Sequence, residues 1–216
     1  MFFYARILPL LLMAVAAFFA MYRFKKNDKP VKIAATICVF NLLSDVTGNI
    51  LGMQQIKNIW WYNGSDLIRY ILWLYFFYLI FETPLQKKMA GVFLIVFPVI
   101  WIAVNFFQPI TQLQTGSFIT GGILIIICCF VFLFNEYQKD TTLKLNKNPF
   151  FWISTGLLIY YSLNLPFIGL YNWLRLHSAS FTKLYFYICV LGSSLVLSIL
   201  MIKAFVCSLQ KTKSGL

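Results

Sequence analysis

Residues 41–52 read NLLSDVTGNILG, and they lie within an apolar run, about 31–53, that is long enough to cross a membrane as one helix. Asn41, Asp45 and Asn49 are spaced four residues apart, so on a helix they form one polar stripe. A carboxylate at that depth in a bilayer costs several kcal/mol unless it is protonated or paired. We therefore expect other parts of the chain to supply partners for Asp45.

The composition of the chain is that of a membrane protein. Of its 216 residues, 61% are hydrophobic and only 11% are charged, whereas soluble domains carry about 25% charged residues. At roughly 20 residues per helical span, this length allows about seven spans and no soluble domain. We therefore predict an all-α, polytopic seven-transmembrane-helix bundle that forms a single transmembrane domain over residues 1–216.

Charged or polar connections divide the chain into the predicted spans. These lie at about residues 2–22, 31–53, 66–81, 89–106, 117–134, 149–174 and 183–206. The loop before span three holds Trp60, Trp61 and Tyr62, a cluster typical of the boundary between water and lipid. The tetrapeptide at 63–66, NGSD, predicts a turn, with Asn63 or Ser65 as the helix cap.

Two prolines lie inside predicted spans. Pro98 predicts a kink in span four, and Pro166 predicts a break in span six, because a proline removes a backbone donor from the helix. The break would leave the carbonyl of Ser162 as a further acceptor inside the membrane.

The distribution of basic residues predicts the orientation of the chain, whose net charge is +12. One side of the predicted bundle holds 13 of the 18 basic residues: Arg23, Lys25, Lys26, Lys29, Lys32, Lys87, Lys88, Lys139, Lys144, Lys147, Lys203, Lys211 and Lys213. The other side holds Arg6, Lys57, Arg69, Arg175 and Lys183. Because cytoplasmic loops carry the excess of Lys and Arg, we predict the N-terminus outside and the C-terminus in the cytoplasm. We expect no nucleic-acid binding, since the chain has no separate basic domain.

The cysteines and the histidine do not form a metal-binding pattern. Cysteines lie in apolar segments without CxxC or Cys/His spacing: Cys38, Cys128, Cys129, Cys189 and Cys207. We interpret them as buried free thiols that behave as small hydrophobic residues. With His177 as the single histidine, we expect neither a metal nor a cofactor.

Depth along the helices predicts where the polar groups meet. At 1.5 Å per residue, Asp45 lies about 12 Å below the outer end of span two, and Asn164 and Ser194 lie about 15 Å below the outer ends of theirs. We predict an outward-facing cavity that binds a small molecule, lined by Asn41, Asp45, Asn49, Arg69, Tyr160, Tyr161, Asn164 and Ser194. Two alternatives to ligand binding stay open. In the first, Arg69 pairs with Asp66 on its own helix instead of with Asp45. In the second, Asn164 and Ser194 form hydrogen bonds between helices instead of contacting a ligand.

The segment NPFFW at 148–152, followed by GLLIYY at 156–161 and by Asn164, resembles a group of uncharacterised small bacterial seven-helix inner-membrane proteins. These are distantly similar to the seven-helix input segments of sensor kinases. The resemblance implies a bacterial inner-membrane location and no known catalytic residue. A signalling role would need a separate cytoplasmic or membrane protein partner, besides the lipid bilayer itself.

Three functions are compatible with these features. The first is a receptor-like or accessory signalling protein, whose cavity is closed towards the cytoplasm. The second is a small-solute or proton-coupled transporter, in which Asp45 titrates and a path reaches both faces. The third is a lipid-modifying enzyme, which needs a second acid or base beside Asp45. A retinal protein is disfavoured, because Lys203 lies near the inner end of span seven, where its amine reaches the headgroups.

Overall fold

A computed structural model describes residues 2–22, 24–139, 145–177 and 179–213. Within these ranges the chain is all-helical, with seven helices and no strand. They are α1 (Phe2–Tyr22), α2 (Lys29–Met53), α3 (Ile59–Ile80), α4 (Pro84–Phe107), α5 (Thr115–Gln138), α6 (Pro149–His177) and α7. Helix α7 has three consecutive segments, α-helical Ala179–Tyr185, π-helical Phe186–Gly192 and α-helical Ser193–Lys213. The all-α prediction is confirmed.

Five helical stretches are long and apolar enough to span a membrane, which indicates a membrane protein. They are Lys29–Met53, Pro84–Phe107, Thr115–Gln138, Pro149–Tyr171 and Phe181–Leu209. The apolar part of α1, Leu8–Tyr22, is shorter. Helix α3 is not among the five, and it carries Asp66 and Arg69 within its 22 residues.

The helices pack as a ring of six with one helix outside it. Each of α1, α2, α3, α5, α6 and α7 contacts the next in this order, and α7 closes the ring on α1. Helix α4 packs on α3 and α5 and buries only Ala90 and Phe97. Helix α3 buries much more of itself: Asn63, Ser65, Tyr70, Trp73, Leu74, Phe76 and Phe77. Its neighbours therefore shield the polar groups of α3 from lipid.

The two ends of the bundle differ in chemistry. We call the end with the α2–α3 and α4–α5 connections the aromatic end, because Trp60 and Trp61 lie there in the first turn of α3. The opposite end, with the α1–α2, α3–α4 and α5–α6 connections, is the basic end, where Lys25, Lys87 and Lys88 are exposed.

Glycines on α2 and α5 allow close contact between helices. A Cβ atom added at Gly121 would lie 2.8 Å from ring carbons of both Phe97 and Tyr70. A Cβ at Gly48 would collide with the hydroxyl group of Tyr62. These two glycines therefore set the spacing of α5 from α3 and α4, and of α2 from α3.

The start of α3 corrects one prediction. The helix begins at Ile59, seven residues before the predicted start, so the turn at 63–66 is wrong and neither Asn63 nor Ser65 is the cap. Tertiary hydrogen bonds favour the helix over the local turn tendency of NGSD. The indole of Trp61 donates to the carbonyl of Ser44 (3.0 Å), and the Asn58 amide donates to the carbonyl of Gly48 (2.7 Å).

A second correction concerns the prolines. Helix α6 continues from Pro149–His177 through Pro166, so the predicted break is absent from this described helix. Packing against neighbouring helices compensates for the lost backbone hydrogen bond. Pro98 likewise lies inside α4, which begins at Pro84 because Thr83 and Gln86 form a capping box there.

Candidate functional site

Arg69 on α3 is the centre of a polar cluster between α2, α3 and α6. Its Nε donates a hydrogen bond to the Oδ1 of Asn41 (2.8 Å), and its Nη1 pairs with the Oδ1 of Asp66 (2.9 Å). Asp66 precedes Arg69 by three residues, so the two side chains lie on the same face of α3. Arg69 therefore pairs with Asp66 on its own helix, which is one of the two alternatives that the sequence leaves open.

Asp45 lies beside this ion pair without joining it. Its carboxylate interacts electrostatically with Arg69, yet no hydrogen bond or ion pair links Asp45 to any residue in the described ranges. The cluster is not sealed, because the side chains of Arg69 and Asp66 keep 15% and 22% of their surface accessible. Asp45 is thus a carboxylate within reach of a cation and without a direct partner.

Two tyrosines on α6 complete the cluster. Tyr160 is half-buried, and its phenol interacts electrostatically with Arg69, Asp66 and Asp45. Tyr161 is buried and packs against Tyr160 and against Tyr70, with ring centroids 5.0 and 5.6 Å apart. Tyr161 also interacts electrostatically with Arg69 and Asp66. Both tyrosines therefore adjoin the charged groups, and the fully buried Tyr161 also belongs to the packed core between α3 and α6.

The other predicted site residues make different contacts. The Asn164 amide donates to the carbonyl of Tyr160 and to the Oγ of Ser193, both at 2.7 Å. The Ser194 hydroxyl donates to the carbonyl of Val190 at 2.7 Å. Asn49 is half-buried, and none of its described neighbours forms a hydrogen bond with its side chain. Asn164 thus joins α6 to α7, as the interhelical alternative expected, whereas that alternative is wrong for the described bond of Ser194, which stays within α7.

Asn164 also supports the π-helical segment Phe186–Gly192. A π turn leaves backbone groups out of the regular helical pattern, and such turns are frequent at functional sites. Here the carbonyl of Cys189 accepts hydrogen bonds from the Asn164 amide (3.3 Å) and from the Ser193 hydroxyl. Hydrogen bonds of Asn164 therefore join the backbone carbonyl of Tyr160, whose phenol interacts electrostatically with Arg69, to this turn.

Comparison with known proteins gives no assignment. No family model, no curated protein and no solved structure matches the chain. The resemblance to bacterial seven-helix proteins stays a prediction.

The sequence predicts that the cysteine side chains are buried thiols that bind no metal. All five cysteines are buried and free, which confirms their interpretation as buried thiols. Among the described residues, no group of three or more His, Cys, Asp or Glu side chains is arranged to hold a metal ion.

Sequence reasoning missed Asn63, which joins the aromatic end of α3 to the α4–α5 connection. The buried Asn63 amide donates to the carbonyls of Ile110 and Gln112, both at 2.7 Å, and its Oδ1 accepts from the backbone N–H of Gln114 at 3.4 Å. The Gln114 side chain in turn donates to Asn105 on α4 (2.7 Å). The turn tendency of residues 63–66 concealed this role, because it placed Asn63 in a loop.

Proposed function

We propose that this chain is a receptor-like or accessory signalling protein of the membrane that binds a small polar molecule in the cluster around Asp45. The observation that carries the proposal is that Asp45 lacks a direct partner although it lies beside Arg69. Arg69 is engaged by Asp66 and Asn41, while Asp45 beside it has no direct partner among the described residues. An uncompensated carboxylate inside a membrane protein is expensive, and such residues mark ligand or ion sites.

The charges of the cluster favour a cationic ligand. Asp45, Asp66 and Arg69 carry a formal net charge of −1 when all three are ionised. A ligand with an ammonium or another positively charged donor would neutralise this charge, and the ring of Tyr160 would add a favourable aromatic surface. A ligand carboxylate would instead meet a guanidinium that is already paired.

Transmission of a signal is the second element of the proposal. The contacts from Tyr160 to Asn164, and from Asn164 to the π turn of α7, connect the cluster to the helix that ends at the basic end. A ligand that moved the backbone of α6 at Tyr160 would bias this turn, because the Asn164 amide is hydrogen-bonded both to the Tyr160 carbonyl and to the carbonyl of Cys189 in the turn. A partner protein at the basic end would read the change, since exposed lysines lie there.

A proton-coupled transporter is the alternative that the same carboxylate supports, because a lone Asp within a membrane can carry a proton. A lipid-modifying enzyme is supported less well. Asp66, the nearest second carboxylate, is held by Arg69 and is not placed as an independent acid or base.

The test is ligand-dependent stabilisation of the purified protein in nanodiscs. A panel of small amines, carboxylates and neutral sugars is screened by thermal unfolding, and hits are titrated against wild type, Asp45→Asn and the control Asp28→Asn, which removes an exposed carboxylate at the basic end. We expect an amine to raise the Tm, with about tenfold weaker binding to Asp45→Asn, the loss of one charge-assisted interaction. The control should bind like wild type.

Liposome assays separate the receptor from the transporter. A receptor should move no solute or proton when the stabilising amine is present on one side. Uptake that follows a pH gradient and disappears in Asp45→Asn would replace the receptor by a transporter. A panel in which no compound stabilises wild type more than Asp45→Asn would refute ligand binding at this cluster.

A further inference from the structure

A cleft that is distinct from the cluster around Asp45 opens at the basic end of the bundle. It has a volume of about 230 Å³ and lies where α3 ends, α4 begins and α5 ends. Its apolar part comprises Ile80, Phe81 and Phe132, and its polar part includes Glu82, Glu136 and Lys139. Helices α4 and α5 are long and apolar enough to span a membrane. A cleft at their ends, apolar on one side and charged on the other, therefore suits the level of the lipid headgroups.

Lys139 holds the charged part together. Its amine contacts Glu82 at 2.8 Å and Glu136 at 2.7 Å. Partial burial acts to lower the pKa of Lys139, but its hydrogen bonds with Glu136 and Glu82 outweigh burial and raise that pKa. The amine therefore stays protonated throughout the neutral range, and the three groups carry a formal net charge of −1.

The two glutamates differ in how firmly they are held. Glu136 also accepts a hydrogen bond from the Asn148 amide (2.9 Å), and only 14% of its side chain is exposed. Glu82 is 71% exposed, and Lys139 is its one ion-pair partner among the described residues. Glu82 can therefore exchange Lys139 for another cation at little cost, while Glu136 keeps Lys139 in place.

We propose that this cleft binds the headgroup of a phosphatidylethanolamine lipid, with its ammonium on Glu82 and its phosphate on Lys139. Both charges of such a headgroup find a partner, and its net charge of zero avoids repulsion by the acidic trio. An anionic headgroup would bring a phosphate without a cation for Glu82. A choline headgroup lacks the N–H donors that a carboxylate accepts from. The amides of Asn135 and Gln138, which also line the cleft, can donate to the phosphate oxygens.

The apolar part of the cleft explains why the ligand is a lipid and not a soluble zwitterion. Phe81 and Phe132 are almost completely buried, at 2% and 5% exposure, and form the floor beside Ile80. Acyl chains that leave the headgroup can continue along the exposed face of α5 next to Gln138, where Phe134, Phe130 and Ile127 follow at helical spacing. Burial of this surface adds affinity that a free headgroup lacks.

Native mass spectrometry of the delipidated protein tests the proposal. Wild type, Lys139→Met and Glu82→Gln are titrated with phosphatidylethanolamine, phosphatidylglycerol, phosphatidylcholine and soluble glycerophosphoethanolamine. The matched controls are Lys147→Met and Asp28→Asn, which remove exposed charges elsewhere at the basic end. We expect phosphatidylethanolamine to bind wild type about tenfold more tightly than the other lipids, and each cleft variant to lose about tenfold while the controls lose nothing.

Each contrary outcome overturns a stated part of the proposal. Equal or tighter binding of phosphatidylglycerol would refute the zwitterionic headgroup, and equal binding of glycerophosphoethanolamine would refute the lipid. Retained binding in both cleft variants would refute the site. Because Glu82 is largely exposed, Glu82→Gln leaves the fold intact, and thermal unfolding without lipid verifies this. The outcome is independent of any ligand at Asp45, since neither variant touches that cluster.

Discussion

Arg69 and Asp45 carry opposite charges on neighbouring helices, yet the hydrogen bonds of Arg69 go to Asp66 and Asn41. Asp66 has the advantage of lying three residues away on the same helix, so the ion pair forms with α3 itself and needs no tertiary adjustment. Asp45 depends on the rotation of α2 against α3 to reach the guanidinium. The sequence therefore identified the charged residues, but not which carboxylate Arg69 pairs with.

Substitution of Asp66 should reveal Asp45 as a reserve partner. We expect Asp66→Asn to lower the free energy of unfolding by about 2–4 kcal/mol, because breaking a largely buried ion pair costs about 3–5 kcal/mol and this one keeps some exposure. Asp45→Asn alone should stabilise the protein or cost less than about 1 kcal/mol, since it removes an uncompensated carboxylate that has no direct partner to lose.

The double variant Asp45→Asn/Asp66→Asn decides whether the two carboxylates share Arg69. We expect it to lose more stability than the two single variants together, because Arg69 then has no carboxylate left. Reversible unfolding in bicelles measures all four proteins of this cycle. Strict additivity would show that Asp45 is too far away to replace Asp66.

The single residue Asn63 also illustrates why the polar contacts of the bundle could be predicted only in part. Its sequence neighbourhood, NGSD, favours a turn, but its side-chain amide pairs with three backbone groups of the α4–α5 connection. Those backbone groups are distant in sequence and have no sequence signature of their own. Such long-range hydrogen bonds outweigh the local turn tendency of NGSD, and α3 therefore begins at Ile59, before the predicted start of span three.

At the scale of helices, glycine positions determine how closely neighbours approach. Gly121 on α5 faces the rings of Tyr70 on α3 and Phe97 on α4, both of which are fully buried. Gly64 on α3, by contrast, has open space where a Cβ would lie. The same residue type thus has a packing role in one helix and none in another, and only the tertiary structure distinguishes them.

Alanine at these two glycines should have opposite effects. Gly121→Ala should lower the free energy of unfolding by about 1–3 kcal/mol, the usual cost of overpacking, because neither ring has space to move. Gly64→Ala should be neutral or stabilise by up to about 1 kcal/mol, since alanine favours the helix. The same unfolding assay compares them, and an equal effect of both substitutions would contradict the described packing of α5.

For the whole molecule, the difference in residue types between the two ends of the bundle predicts its orientation in the membrane. The aromatic end has Trp60 and Trp61, and the basic end has most of the exposed lysines in the described ranges. For the seven predicted spans, the positive-inside rule then predicts that the aromatic end lies outside. The ligand cluster would face the exterior, and the lipid cleft would face the inner leaflet.

Site-directed labelling in intact cells tests this orientation. Single substitutions Lys57→Cys at the aromatic end and Lys147→Cys at the basic end are treated with a membrane-impermeant maleimide. We expect Lys57→Cys to react in intact cells and Lys147→Cys only after permeabilisation. The wild-type protein is the control, and its five buried cysteines should give little background. The reverse pattern would invert the molecule and both proposed sites with it.

The sequence by itself determined that the chain forms an all-α bundle with membrane-spanning helices, because transfer into lipid depends on residue type and on the length of apolar runs. It also identified Asp45, Arg69 and Tyr160 as members of one polar cluster. Only the tertiary structure decided that Arg69 pairs with Asp66, that Asn164 supports a π turn, and that Asn63 holds the α4–α5 connection. These contacts depend on how each helix is rotated and placed against its neighbours, which many weak packing interactions set together and no local pattern encodes.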